Sequence, residues 1–408
     1  MTKLSTTSLG TAWLESFEDT SERATAALLI DELLLVSRDE LICGLRQAIE
    51  AILTEREEPQ RPIALFAERA VPKFDKVVQP FFPSSASGRA TGSGVPPIIV
   101  DPRDQEVGSE GLVANLITDL ARYYEKSVLS HPGPDLMRAE RVRHIVIVAD
   151  FIGSGKRVWE MLEAFRAVAT LRSWRSYKLL QFNVVAYSGT EEGLEAVHSS
   201  RLKPLVSIVT GCPTLFNTFT GTQLSRVLTI CRQYPRGHRH PMGFMHGGAL
   251  IAFAHGMPNN APPILHSRTK GWTPLFRGRS TAGTGLDFPS DARETVAERA
   301  NRLLRISNAY AYLSNAAGNR WITTMMVLAA IDAGARTPTT ASARSGLSLS
   351  RVEEILGYTR IARWTTGRNA LTTLGRQELG RLRRRRRRTP VLPKPGTPFY
   401  YPTQLRAR

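Results

Sequence analysis

Cysteine is scarce in this chain: Cys43, Cys212 and Cys231 are the only three in 408 residues, and they lie far apart. So few, and an odd number, argue against a disulfide framework and a cysteine-rich zinc site, and fit a reducing cytoplasm. Long apolar runs are missing as well. No stretch reaches the roughly 20 residues that a membrane helix needs, so no membrane partner is expected. The opening MTKLSTTSLGTAWLESFEDT has no apolar core of the kind a secretory signal carries. No internal repeat is visible. Acid is missing from the C-terminal end: residues 381–408 hold ten Lys/Arg and no Asp or Glu.

What is present is a globular composition, 42% hydrophobic and 22% charged, long enough for two or three domains. The net charge is +18, unevenly spread, since residues 1–58 hold five Lys/Arg against twelve Asp/Glu. A basic middle and tail point to a polyanionic partner, nucleic acid first; the plain alternative is that the excess only aids solubility.

Residues 11–56 read as helices, with Ala27, Leu28, Leu34 and Leu35, then Leu41, Leu45, Ile49 and Ile52, at helical spacing. Ser37 is placed to cap the second helix, with Glu40 completing a capping box. Pro59 and Pro62 end this part. PIALFAER follows as a strand, the Gly/Ser/Pro-rich 83–97 as a mobile loop, and PIIVD at 97–101 as another strand. A helix is expected next, with Leu112, Leu116, Leu120 and Tyr123 on one face. The continuous β-branched run in HIVIVAD, His144–Asp150, is typical of a central parallel strand covered on both faces. A short glycine loop, a helix at 158–169, a strand at 182–188, a helix through GLEAVHSS and a strand at 204–210 come after it. This alternation predicts an α/β fold with a doubly wound parallel sheet.

The loop after the central strand is where chemistry is expected. Ligands of open α/β sheets bind beyond the carboxyl ends of the strands, so Asp150 should face one. Gly153, Ser154 and Gly155 let the backbone wrap closely, and the helix that follows adds its positive end, which together suit a phosphate. A P-loop fails on spacing, because Asp150 stands where the first glycine belongs and Arg157 follows Lys156. No G-x-G-x-x-G is present, so a Rossmann fingerprint fails too. The plain alternative is a tight turn without a ligand.

IVIVADFIGSGKRV resembles the PRPP-binding signature of type I phosphoribosyltransferases: an apolar strand, two acids, two variable residues, then Thr/Ser-Thr/Ser-Gly-x-Thr. The resemblance implies that Asp150 is the catalytic acid facing the ribose hydroxyls, and that Gly153, Ser154, Gly155, Lys156 and Arg157 hold the 5-phosphate. It also implies Mg2+ accompanying PRPP. The sequence departs from the pattern at three places. Ala149 replaces the first acid, Gly153 the first Thr/Ser and Arg157 the last Thr. Arg157 can still pair with phosphate. PIALFAER, VGSEGLVANLI, FNVVAYSGTEEGLEAV, MGFMHGGALIAFAHGMPNNAPPIL and GWTPLFR look like the phosphoribosyltransferase-like proteins of bacterial anti-phage conflict systems, including retron-associated effectors. This likeness covers about residues 10 to 280. It implies other defence-system proteins as partners.

His238, His240, His246, His255 and His266 cluster late, but no carboxylate or cysteine pattern completes a metal site, and none is expected; a substrate-facing role near Asn259 and Asn260 is expected instead. Asn259 and Asn260 are candidates for reading the edge of an acceptor base; equally, they cap a turn after Pro258.

Residues 320–382 follow a different logic. A helix to Gly334, a short helix to Gly346, a turn and a helix through LSRVEEILGYTRIA resemble a helix-turn-helix, and RWTTGRNALTTLGRQEL resembles a wing and closing helix. In such domains the second helix enters the major groove and the wing meets the backbone. Ser348, Ser350, Arg351 and Arg360, with Arg363 and Arg368 on the wing, are therefore the candidate DNA or RNA contacts; protein docking is the alternative. The run Arg383, Arg384, Arg385, Arg386, Arg387 and Arg388 adds a salt-sensitive, sequence-independent grip.

The expected organisation is an N-terminal helical segment (1–60), a phosphoribosyltransferase-like domain (61–290), a helical linker (291–319), a winged helix (320–382) and a basic tail (383–408). Three functions fit. One is a PRPP-binding phosphoribosyltransferase-like effector tethered to nucleic acid, in anti-phage defence. The second is a non-catalytic sensor of PRPP or a nucleotide that regulates DNA binding. The third is a docking scaffold in a defence complex.

Overall fold

Ile145–Val148 forms the middle of a strand whose side chains are buried on both faces, as an unbroken β-branched run requires. The computed structural model describes residues 3–96, 109–281, 296–306, 309–313 and 316–384. In chain order, the strands that matter are β1 (Leu34–Val36), β2 (Ile63–Ala67), β3 (Val128–Ser130), β4 (His144–Ile152), β5 (Gln181–Gly189), β6 (Leu205–Gly211) and β7 (Ile251–Phe253). The helices that matter here are α1 (Thr20–Asp31), α2 (Arg38–Glu55), α3 (Ser109–Tyr123), α4 (Lys156–Ala167), α5 (Glu191–His198), α6 (Ala316–Asp332), α7 (Pro338–Ser345), α8 (Leu349–Ile361) and α9 (Thr373–Arg384).

Strands β2 to β6 form a five-stranded sheet in the order β3-β2-β4-β5-β6, with every pairing parallel. The chain winds from β2 outward to β3, then returns to β4 on the other side of β2. The winding reverses between β2 and β4, and that is where an open α/β sheet offers a crevice.

Strand alternation divides the core in two. Ile145 and Ile147 of β4, Phe182 and Val184 of β5 and Phe66 of β2 pack with Phe165 of α4 on one face. Val146, Val148, Val185 and Leu65 pack on the other face with Leu45 and Ile49 of α2 and Leu116 and Ile117 of α3. Each such side chain contributes roughly 1.5–3 kcal/mol by leaving water.

Two expectations shift. Leu34 and Leu35 are not helical; they lie in β1, which pairs in parallel with β7, Leu34 opposite Ile251. This long-range pairing overrides leucine's helical preference, and the helix restarts at Ser37, whose capping box with Glu40 is formed. Tyr123 is not on the buried face of α3 but 74% exposed at its end, and Val113 and Ile117 pack there beside Leu116 and Leu120. The strand expected at 97–101 lies outside the described residues.

The N-terminal helices share a core with residues far along the chain. Trp13, Phe17, Leu29 and Ile30 pack with Leu215, Leu250, Ile264 and Phe276. Trp13, Phe17, Tyr234 and Trp272 form a mutually packed aromatic group, Phe17 lying 5.2 Å from Tyr234 and 5.4 Å from Trp272 between ring centres. This half carries β7 over the carboxyl ends of the sheet.

The C-terminal module has its own core. Met325, Met326 and Ile331 of α6 meet Val352, Ile355 and Leu356 of α8 and Leu379 of α9. Between α8 and α9 the chain makes a short hairpin, closed by Thr365 opposite Leu371 and by Thr366 N donating to Ala370 O at 2.8 Å. Among the described residues no helix is long and apolar enough to cross a membrane.

Candidate functional site at the carboxyl end of the sheet

Asp150 stands near the carboxyl end of β4, at the reversal point. Its Oδ1 accepts from Phe151 N at 2.8 Å, which fixes the carboxylate on its own backbone. Its Oδ2 lies 3.0 Å from Nε2 of His255. His255 arrives from the segment after β7 and is stacked on Phe253, ring centres 5.0 Å apart. Ala149, in contrast, is 1% exposed and faces the apolar core, so no second acid can be offered to a ligand from that place.

The loop after Asp150 is held from two sides. Thr190 Oγ1 donates to Gly153 O at 2.5 Å and accepts from Gly193 N at 3.0 Å. Gly155 has φ +70°, and a Cβ there would lie 2.3 Å from Gly193 O, so both backbone conformation and space require glycine. A Cβ on Gly153 would lie 1.9 Å from Asn260 Oδ1. Asn260 is buried and donates through Nδ2 to Phe244 O at 3.1 Å, so its amide braces the loop. Asn259 is exposed, and its carbonyl accepts from Phe244 N at 2.9 Å. Helix α4 begins at Lys156 without a side-chain cap, leaving first-turn N–H groups for a ligand. Lys156 is exposed and 4.0 Å from Glu160, which Lys73 also reaches.

Arg157 turns back over the crevice. Its Nε lies 2.8 Å from Glu68 Oε1, and its Nη2 contacts Glu110 of α3. Burial works against its charge, but Glu68, Glu110 and Asp150 together outweigh that and raise its pKa. Glu68 follows β2 directly, its N–H donating to Val148 O at 2.7 Å. The side chain is enclosed. Burial, reinforced by Asp150 and Glu110 and opposed by Arg157, pushes its pKa up to about 7. Despite the short ion contact, Glu68 Oε1 has no aligned hydrogen-bond donor.

Arg69 comes next, buried, with Nη1 donating to Pro96 O at 2.8 Å; burial lowers its pKa and Glu110 opposes that. At the end of β3, His131 Nε2 accepts from Ala67 N at 3.0 Å, so the ring proton sits on Nδ1, beside Ser130 Oγ. Burial, with Arg69 adding, holds the His131 pKa down at about 4, which keeps the ring neutral at pH near 7.

The structure thus gathers Asp150, the 153–157 loop and Asn260 at one place. Sequence reading missed Glu68, Arg69, Glu110, His131 and Thr190, and it named His255 only within the late histidine cluster. A signal existed for two of them: Glu68 and Arg69 directly follow an apolar strand, the position where α/β sheets present ligand-facing residues.

The other candidates lie in the C-terminal module. Ser348 caps α8, accepting from Arg351 N at 3.4 Å, and Ser350 Oγ is 3.3 Å from Ser348 Oγ. Arg351 is paired with Glu354. Arg360 donates to Asn369 Oδ1 at 2.8 Å, and Arg363 and Arg368 are exposed. Arg383 and Arg384 end α9, and Arg385, Arg386, Arg387 and Arg388 lie outside the described residues.

Residues 11–277 match the family model described as PRTase-CE. Residues 325–407 match one described as wHTH-PRTase associated. No match was found among curated proteins or among solved structures.

Proposed function

Since the chain belongs to the PRTase-CE family, we propose that its crevice binds 5-phosphoribosyl 1-diphosphate and that the protein is a phosphoribosyltransferase-like effector tethered to nucleic acid by its winged helix. The observation that carries this reading is the pairing of a braced glycine loop, opening a helix, with a carboxylate at the end of the central strand. The loop and the first turn of α4 take the 5-phosphate through backbone N–H groups, as helix N-termini take anions. Asp150 accepts from the ribose hydroxyls. Arg157 and Arg69 lie where a second anionic group, the diphosphate, would be neutralised.

In transfer, the bond from the anomeric carbon to the diphosphate oxygen breaks, its electron pair leaves with pyrophosphate, and the acceptor's nucleophile bonds to that carbon. The positive charge that develops on the sugar is stabilised by a fixed carboxylate, here Asp150 alone. The acceptor's proton needs a base, and His255 and Glu68 are the groups at hand. Among the described residues no three His, Cys, Asp or Glu side chains come together as an ion site. Magnesium belongs to the substrate here, carried on its diphosphate.

A second reading is a sensor that binds PRPP without turning it over. The buried Ala149 favours it, because one acid does the work of two. The setting we propose is an anti-phage defence locus of the retron-associated kind, with other defence proteins as partners. Titration calorimetry with PRPP and magnesium, on wild type and Asp150→Ala, tests the site; binding lost in the variant supports it, and no binding by folded wild type overturns it. Release of pyrophosphate on adding candidate acceptors separates enzyme from sensor.

A further inference from the structure

The winged helix is docked, and the docking decides which face remains for a partner. Helix α7, first of the helix-turn-helix pair, has no exposed residue along its length. Ser342 Oγ accepts from Gly211 N at 3.0 Å, at the end of β6, and donates to Leu347 O at 2.7 Å. Arg344 Nε donates to Asn217 O at 2.6 Å. A Cβ on Gly211 would lie 2.3 Å from Thr339 O, so helix and strand touch backbone to backbone. Leu349, in the first turn of α8, packs on the core of the sheet. Reading by a helix-turn-helix sets the first helix across the DNA backbone and the start of the second in the major groove. Here the edge strand β6 lies against the first helix, where the DNA backbone would run.

The outer face of α8 is also the wrong sign. Glu353 and Glu354 are exposed there. Glu354 takes Arg351, and Arg320 lies 3.7 Å from it, so neither arginine is available as net charge. Residues 355–377 differ: they hold four arginines and no acid. Arg360, Arg363, Arg368 and Arg376 are all exposed. They are gathered by the hairpin. Asn369 holds Arg360, Arg368 is at the tip, the carbonyl of Arg363 accepts from Thr372 Oγ1 at 2.7 Å, and Arg376 N donates to Thr372 O at 3.0 Å.

We propose that the module grips duplex DNA with this hairpin face, through phosphates and without base readout, while α8 stays out of the major groove. The inference rests on the nucleic-acid tether proposed above and says how the tether works. Phosphate contacts set position and carry no sequence information.

The test is fluorescence anisotropy of the full chain on short DNA duplexes of unrelated sequence, over a salt series. Wild type should bind them all within about threefold. Arg363→Gln/Arg368→Gln/Arg376→Gln should flatten the log–log salt slope by about 0.9 per lost phosphate contact. Ser350→Glu, at the exposed start of α8, should leave affinity unchanged. A strong preference for one sequence that Ser350→Glu removes would overturn the inference and keep the tether. Binding unmoved by the triple variant would overturn it too, and assign the grip to the remaining arginines of the tail. No binding by folded wild type would sink the tether itself. Matching thermal melts confirm that the variants fold.

Discussion

Nε2 of His255 stands 3.0 Å from Oδ2 of Asp150, although 105 residues separate them. The contact joins the two halves of the larger domain, because Asp150 belongs to the sheet and His255 to the segment that β7 carries over it. It gives the carboxylate near the end of β4 a hydrogen-bonding partner from the other half.

His255→Ala should therefore weaken PRPP binding without abolishing it. A hydrogen bond to a charged group contributes about 1.5–3 kcal/mol, so the loss should be on the order of tenfold or somewhat more. Asp150→Ala should cost more, since it removes the contact to the sugar as well. Calorimetry on both variants at one pH checks the order, and an equal or greater loss in His255→Ala would contradict it.

Glu68 makes stability depend on pH. Its folded pKa is raised, to about 7, above the usual carboxylate value. The folded state then binds the proton more tightly than the unfolded chain does. Stability from this group is full below the unfolded pKa of about 4 and falls as pH rises through about 7, by on the order of 3 kcal/mol. Thermal melts across that window should show wild type losing stability, and Glu68→Gln should flatten the dependence. The same slope in both proteins would mean that Glu68 is not the group responsible.

The two glycines of the loop should fail in different ways. Gly155→Ala forces a side chain onto a φ of +70° and into the backbone of Gly193, which cannot retreat. It should cost about 1–3 kcal/mol or more in stability. Gly153→Ala meets only the amide of Asn260, which can swing aside. It should lower the melt less than Gly155→Ala does, and disturb ligand binding. Asn260→Ala added to Gly153→Ala should restore stability lost to the clash. If the double variant is no better than Gly153→Ala, the amide is not what the new methyl strikes.

Four of the sheet's five strands were legible in the sequence because they are marked by apolar runs, as in Ile145–Val148 and Val184–Ala186; the three-residue edge strand β3 carries no such run and was not. Asp150 and its loop were legible because local spacing defines them. Asn260 was a candidate, but its bracing of Gly153 was not visible, since that contact joins residues remote in sequence. Glu110 was hidden for the same reason, and so was the contact of His255 with Asp150. Leu34 and Leu35 misled because leucine fits a helix as well as a strand, and only pairing with Ile251 and Ala252 decides. The docking of α7 was hidden most completely. An HTH pattern describes how its helices pack on each other and says nothing about which face a neighbouring sheet covers.

That docked seam should be separable from the rest of the fold. Strand β6 is an edge of the sheet, and an uncovered edge invites pairing with other chains. Ser342→Ala removes the acceptor for Gly211 N inside a buried contact, which should cost about 1–3 kcal/mol. Gly211→Val should cost more, because no side chain fits against the Thr339 carbonyl. If the module is held mainly by this seam, Gly211→Val should raise hydrogen exchange in α7 and β6 together while β4 and β5 stay protected. Loss of protection throughout the sheet would show instead that the winged helix and the sheet unfold as one unit, and that α7 is part of the larger domain's core.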